Sequence, residues 1–269
     1  MKHCKIILCL ILPLVMAAEL DFNDEDSTLL SELGEAEFTW IRGIYSSNPI
    51  GSRFYPGEGS GWWETDFDDS DRNFLRGVQR YTAVNTNSRA YKPLALTDPE
   101  LFEYTFLYMN IKRVPLIPGI GPDFSEEEAA ALREFMLRGG FVVFDDFWGE
   151  SHWEDFLVEY IKIFPDRPLI ELSTDHPIFH TFFDIDSISQ VPGRAVTWDY
   201  STGFDLDDPD YPPSVHAVVD DNNRVMMVVN HNTDLGDGWE HTFYEPYPTR
   251  YCNDAYKLGI NYIIYALSH

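Results

Sequence analysis

The sequence predicts an α/β fold with a mainly parallel central sheet, helices on both of its faces, an added β-hairpin and a closing C-terminal helix. Three observations predict it. Phe141-Val142-Val143-Phe144 is a short, continuously apolar run that stops on Asp145-Asp146, the composition of a strand buried on both faces. Amphipathic helix patterns flank that run, one from Ser125 to Gly139-Gly140 and one from Ser151 onward. Farther on, a pair of β-branched runs around Asp220-Asp221-Asn222-Asn223 reads as a hairpin, and the chain ends on an apolar helical stripe entered at Thr249. Open parallel sheets carry their functional loops at the carboxyl ends of the strands, which is where Asp145 and Asp146 fall.

The N-terminus has Lys2 and Lys5, an apolar core from Ile6 to Met16, and small residues at Ala17 and Ala18 before Glu19. This is the order of a secretory signal, and the apolar run is too short to span a bilayer. The expected organisation is therefore a signal peptide over 1–18, an exposed acidic lead-in over 19–36 and a single α/β domain over 37–269. An uncleaved anchor is the alternative reading of the first segment. The expected location is periplasmic or extracellular, with no membrane span after signal cleavage.

Of the three cysteines, Cys4 and Cys9 lie within the signal segment, so Cys252 would remain alone and without an intramolecular disulfide. An apolar fraction of 44% argues for a folded core. The net charge of -26 repels phosphate backbones and anionic lipid. Nucleic acid is thereby excluded as a partner, while cations, an envelope protein or a carbohydrate stay compatible.

The elements follow in order. Phe38 to Tyr45 has the β-branched and aromatic content of a first strand. Arg53 to Asp66 is a Gly-rich loop holding Trp62-Trp63, whose indoles either pack down onto the domain or offer a flat ligand a stacking surface. Acids at Asp68-Asp69 precede a helical stripe of Phe74, Leu75, Val78 and Tyr81. Pro93–Leu96 and Tyr104–Met109 read as strands, and the three prolines between Val114 and Pro122 make a connecting loop. Ser125-x-x-Glu128 is a capping box, and Ser151-x-x-Glu154 repeats it before Trp153, Phe156, Leu157, Tyr160, Ile161 and Phe164. Pro168–Leu172 reads as a further strand and Asp175–Asp210 as irregular. The final helix carries Cys252, Ala255, Tyr256, Gly259, Ile260, Ile263 and Leu267 on one face.

Several of these residues resemble a known family. Arg53-Phe54-Tyr55 with the Trp loop and Asp66, the Gly139 to Asp146 stretch, Asp175-His176-Pro177, Asn230 to Glu240, and Lys257 to Tyr262 together look like exported bacterial proteins grouped as domain of unknown function 4159. The resemblance spans nearly the whole mature chain. It implies a flavodoxin-like sandwich similar in architecture to the class I glutamine amidotransferases, and it implies no reaction. True amidotransferases place a nucleophilic cysteine at a strand-to-helix elbow. Here that elbow is Asp145-Asp146-Phe147.

The chemistry centres on the acids. Asp145 and Asp146 either bind a divalent cation or act as base, with His152 or His176 completing the set, or they cap the helix that follows. His176 and His180 stand four apart, but Pro177 holds His176 extended and no glutamate adjoins either one, so hydrogen-bonded loop histidines are the simpler reading. Asp234-Leu235-Gly236-Asp237-Gly238-Trp239-Glu240-His241 resembles a calcium loop without the acid spacing or terminal glutamate of an EF-hand, and otherwise is a turn whose Trp239 packs down. Cys252, on the buried stripe, reads as a core residue. The candidate ligand residues are thus Asp145, Asp146, Trp62 and Trp63, with Arg53, Trp148 and His176. The candidate metal residues are Asp145, Asp146, His152, Asp234 and Asp237, and a divalent cation is the one cofactor they suggest.

Two functions fit. One is an exported binding or accessory module with an acidic, aromatic crevice, and the other is a metal-assisted hydrolase acting on a sugar-like substrate. Because no complete catalytic constellation can be written from these residues, the binding module is preferred.

Overall fold

The computed structural model describes residues 36–47, 62–111, 121–193 and 210–269. The predicted signal peptide, nearly all of the lead-in, Arg53 and most of the Pro-rich loop lie outside these described residues. The strands are β1 (Trp40–Ile44), β2 (Tyr91–Ala95), β3 (Phe106–Asn110), β4 (Phe141–Asp145), β5 (Ile170–Glu171), β6 (Ser214–Val219) and β7 (Val225–His231). The α-helices are α1 (Asp69–Tyr81), α2 (Glu126–Leu137), α3 (Gly149–Ile163), α4 (Leu235–Glu240) and α5 (Thr249–Ser268).

The strands form one seven-stranded sheet in the order β2-β1-β3-β4-β7-β6-β5. From β2 to β7 the pairings are parallel, whereas β6 runs antiparallel to β7 and β5 antiparallel to β6. The α/β class is as expected, and the sheet is mixed. The hairpin is not an appendage: its second strand lies parallel against β4, so the hairpin itself continues the sheet. Pro93 sits in β2, which pairs with β1 alone at the sheet's edge. An edge strand is where a residue lacking an N–H can be accommodated.

Alternation along the parallel strands sends side chains to two separate cores. On one face Trp40, Tyr108, Phe141 and Val143 meet Phe74 and Val78 of α1, Trp239 of α4 and Cys252, Tyr256 and Ile263 of α5. On the other, Ile41, Leu107, Val142 and Phe144 meet Leu132 and Phe135 of α2 and Phe156 and Tyr160 of α3. Helices therefore cover both faces. Among the described residues no helix is long and apolar enough to cross a membrane.

The first capping box forms as predicted: Ser125 Oγ accepts the Glu128 N–H and the Glu128 carboxylate accepts the Ser125 N–H, at 3.1 and 2.8 Å. The second does not. Helix α3 starts at Gly149, two residues before Ser151, and its start is held by one tertiary partner and one side chain of its own first turn. Asn232 Oδ1 accepts the Gly149 N–H at 2.8 Å and His152 Nδ1 accepts the Trp148 N–H at 3.1 Å. Its inward stripe is His152, Phe156, Tyr160 and Ile163, while Ile161 points to solvent. Leu267, at the end of the α5 stripe, is likewise exposed. The Asp234 loop is not a plain turn but leads into α4, with Trp239 buried as expected.

Candidate functional site

The carboxyl ends of the parallel strands gather polar groups. β3 ends on Asn110 and β4 on Asp145, in register with each other, and β7 closes on Asn230 and His231. Asp145 is fully buried and fully engaged. Its Oδ2 accepts from the Tyr108 hydroxyl at 2.8 Å and from the backbone N–H groups of Leu235 and Gly236 at 2.9 and 3.0 Å. Its Oδ1 accepts from Asn230 Nδ2 at 3.2 Å, and Asn230 Oδ1 in turn accepts the Tyr262 hydroxyl at 2.8 Å. Asp145 thus caps a helix, although not the one that follows it in sequence. It ties the start of α4 to the end of β4.

Around this anchor stand more acids. Asp66, Asp234 and Asp237 each offer a carboxylate oxygen within 4.8 Å of the others. Asp234 is buried, and its Oδ1 accepts the Asp237 N–H at 2.8 Å. Asp66 reaches in from the loop before α1, where its Oδ2 accepts from Asn110 Nδ2 at 3.0 Å. That loop is pinned by Arg42 of β1, which is fully buried and donates to the carbonyls of Trp63 and Thr65 at 3.2 and 3.0 Å and to both oxygens of Asp71. Burial lowers the guanidinium's pKa, but the Asp71 carboxylate more than offsets this and raises it on balance.

Close backbone approach lets the acids meet. A Cβ on Gly236 would stand 2.3 Å from Asp66 Oδ2, and one on Gly193 would stand 3.3 Å from Asp237 Oδ2 and 3.5 Å from Asp234 Oδ2. Asp66 and Asp146 both hold left-handed backbone, at φ 62° and 66°, which asparagine and aspartate adopt more readily than most residues. At Asp146, Trp148 Nε1 donates to Oδ1 at 3.4 Å.

The electrostatics follow from burial and crowding. Burial, followed by the charges of Asp146, Asp237, Asp66 and Asp145, raises the Asp234 carboxyl well above the ordinary range. Burial pushes Asp145 up to about 7, with the Tyr108 hydrogen bond opposing and the Asp146 charge adding. Glu240, at the end of α4, is pushed up to about 7 by burial and then by Asp237. Each group is harder to ionise in the fold than in the unfolded chain. The stability these groups contribute is present below their ordinary carboxylate pKa and is lost as pH rises through the raised values, about 7 for Asp145 and Glu240. Metal-stripped protein is therefore expected to lose melting temperature as pH rises from about 4 to about 7, with a shallower slope in Asp234→Asn. Thermal unfolding of both proteins across that window measures the difference, and parallel slopes would contradict the raised pKa of Asp234.

The sequence-predicted residues divide into three groups. Asp145, Asp146, Asp234 and Asp237 converge at one end of the sheet. Trp62, Trp63 and Trp148 are buried, the first two within the core beside α2 and α3, so the two loop indoles take the packing role and offer no open stacking face. His152 and His176 serve backbone: His152 Nδ1 accepts the Trp148 N–H, and His176 Nδ1 accepts the Ile178 N–H at 3.2 Å. His176 lies near Tyr265, whose hydroxyl meets the first residue of β7, at the opposite end of the sheet from Asp145. Burial pushes the Cys252 thiol up to about 12, consistent with a core residue.

Sequence reasoning did not select Asn110, Asn230, Tyr108, Glu240 or His241 for the site. Asn110 and Asn230 did leave a signal, since each closes an apolar strand on a polar side chain just as Asp145 does. Among curated proteins none matches this chain. One family model does, over residues 55–267, and its span takes in every residue of the acidic site described here. The chain therefore belongs to the family described as domain of unknown function 4159.

Proposed function

We propose that this protein is a binding module whose acidic crevice takes a divalent cation, with Asp66, Asp234 and Asp237 as its ligands and Asp145 as the anchor that positions them. The convergence of three carboxylates within 4.8 Å, one of them buried and surrounded by further acids, carries the reading. Like charges held this close are stabilised by a proton or a cation, and an all-oxygen set suits calcium, magnesium or manganese. Export belongs to the same reading, on the strength of Lys2, Lys5 and the apolar run before Ala17-Ala18. An architecture akin to the amidotransferases is also part of it, supported by the parallel strands with helices on both faces. Hydrolysis of a sugar-like substrate has less support, because the buried Trp62 and Trp63 remove the stacking surface assigned to that substrate.

Titration of calcium, magnesium, manganese and zinc with thermal unfolding as readout tests the proposal. At a hundredfold excess over its dissociation constant, a ligand of the native state adds about 2.7 kcal/mol of stability. Wild type is expected to gain with at least one metal. Asp234→Asn retains an acceptor for the Asp237 N–H and is expected to fold while losing that gain. A wild type indifferent to all four metals would eliminate the cation site.

A further inference from the structure

We infer that His241, Glu240 and Asp237 form a second cation site beside the first, with Asp237 shared as a bridging carboxylate. The inference rests on the cation reading of Asp66, Asp234 and Asp237. Helical spacing sets up the new group, since Glu240 and His241 follow Asp237 by three and four residues and share its side of α4 and the turn that continues it. The ligand atoms of the three residues lie within 4.8 Å of one another.

Asp237 is placed to serve both sites. Its Oδ1 is 3.1 Å from His241 Nε2, while its Oδ2 lies with Asp234 Oδ2 beside Gly193. One oxygen thus faces the imidazole and the other faces the first group of acids.

The second observation is the imidazole itself. His241 is 6% exposed, and its Nε2 makes no hydrogen bond although Asp237 Oδ1 and Glu240 Oε2 stand 3.1 and 3.3 Å away. The ring lies against Tyr244 and Tyr247 at centroid distances of 5.7 and 5.3 Å, and the Tyr247 hydroxyl is itself fixed on the Pro192 carbonyl at 2.6 Å. A buried ring nitrogen aimed at two carboxylates, with its plane fixed by aromatic neighbours, has the form of a metal ligand held by its surroundings. Glu240 is 29% exposed at the side chain, which opens the group to solvent. Mixed nitrogen and oxygen ligands favour zinc, iron or manganese, in contrast to the all-oxygen first site.

The test is metal stoichiometry on the full chain, stripped with chelator and dialysed to equilibrium against manganese or zinc. Wild type is expected to hold two manganese ions per chain and His241→Gln one, with the paired-ion spin coupling of the wild type absent in the variant. Glu240→Gln, at a partly exposed position, repeats the measurement if His241→Gln does not fold. It is expected to weaken the second ion at least tenfold and leave the first. A single ion in wild type that survives both substitutions would overturn the second site and leave the first standing. No bound ion in wild type would overturn both.

Discussion

Asp71→Ala is expected to lower the unfolding free energy by about 3–5 kcal/mol, because it strands a guanidinium in the core. Asp71 and Arg42 are both inaccessible to solvent, and Arg42 Nε stands 3.1 Å from each Asp71 oxygen. Ser70 Oγ accepts from Arg42 Nη2 at 2.8 Å, and the Trp63 and Thr65 carbonyls take the remaining N–H groups, so the pair is satisfied as a network. Urea unfolding of the variant measures the loss. The double variant Arg42→Met/Asp71→Leu removes both charges and is expected to recover most of that stability. It also leaves the Thr65 carbonyl without its donor, next to Asp66. Metal affinity is therefore expected to stay weakened in the double variant even where stability returns. Recovery of both together would show that Arg42 holds the fold and does not position the site.

Asp145→Ala is the second large effect, at about 3–5 kcal/mol. The substitution leaves the Leu235 and Gly236 N–H groups, the Tyr108 hydroxyl and Asn230 Nδ2 without their acceptor, and a buried donor left unsatisfied costs about 1–3 kcal/mol. Relief of the carboxylate's own burial offsets part of that sum. Asp145→Asn keeps the shape and the acceptor at Oδ2 but sets an amide NH2 against Asn230 Nδ2, and it is expected to cost about 1–3 kcal/mol, less than the alanine variant. The functional consequence differs from that of Asp234→Asn. Because all of Asp145's contacts are to protein donors, Asp145→Asn should shift metal affinity far less than Asp234→Asn does, whereas Asp145→Ala should release α4 and abolish binding. Metal titration of the three variants side by side reads this ranking, and equal losses in Asp145→Asn and Asp234→Asn would place Asp145 among the ligands.

Elements whose signals are local were legible before the fold was known. The apolar run of β4, the capping box of α2, the hairpin and the α5 stripe are written in contiguous residues, because backbone periodicity and caps act over a few positions. The placing of the acidic loop at the carboxyl end of a strand was legible too, since that follows from strand polarity in a parallel sheet. The remaining roles depend on long-range contacts. The Ser151 box lost to a start two residues earlier, where the Gly149 N–H is taken by Asn232, a partner 83 residues away that local spacing cannot weigh against a serine. Trp62 and Trp63 were ambiguous between packing and recognition until the second core was in view. Above all, Asp145 read as a cation ligand or base or else as the cap of the next helix, yet its hydrogen bonds go to Leu235 and Gly236, on a helix that reaches it because β7 inserts beside β4. A carboxylate's role is set by which donors and charges the fold brings within about 3–6 Å of it. Those neighbours come from distant parts of the chain, as Asp66 and Asp237 do here.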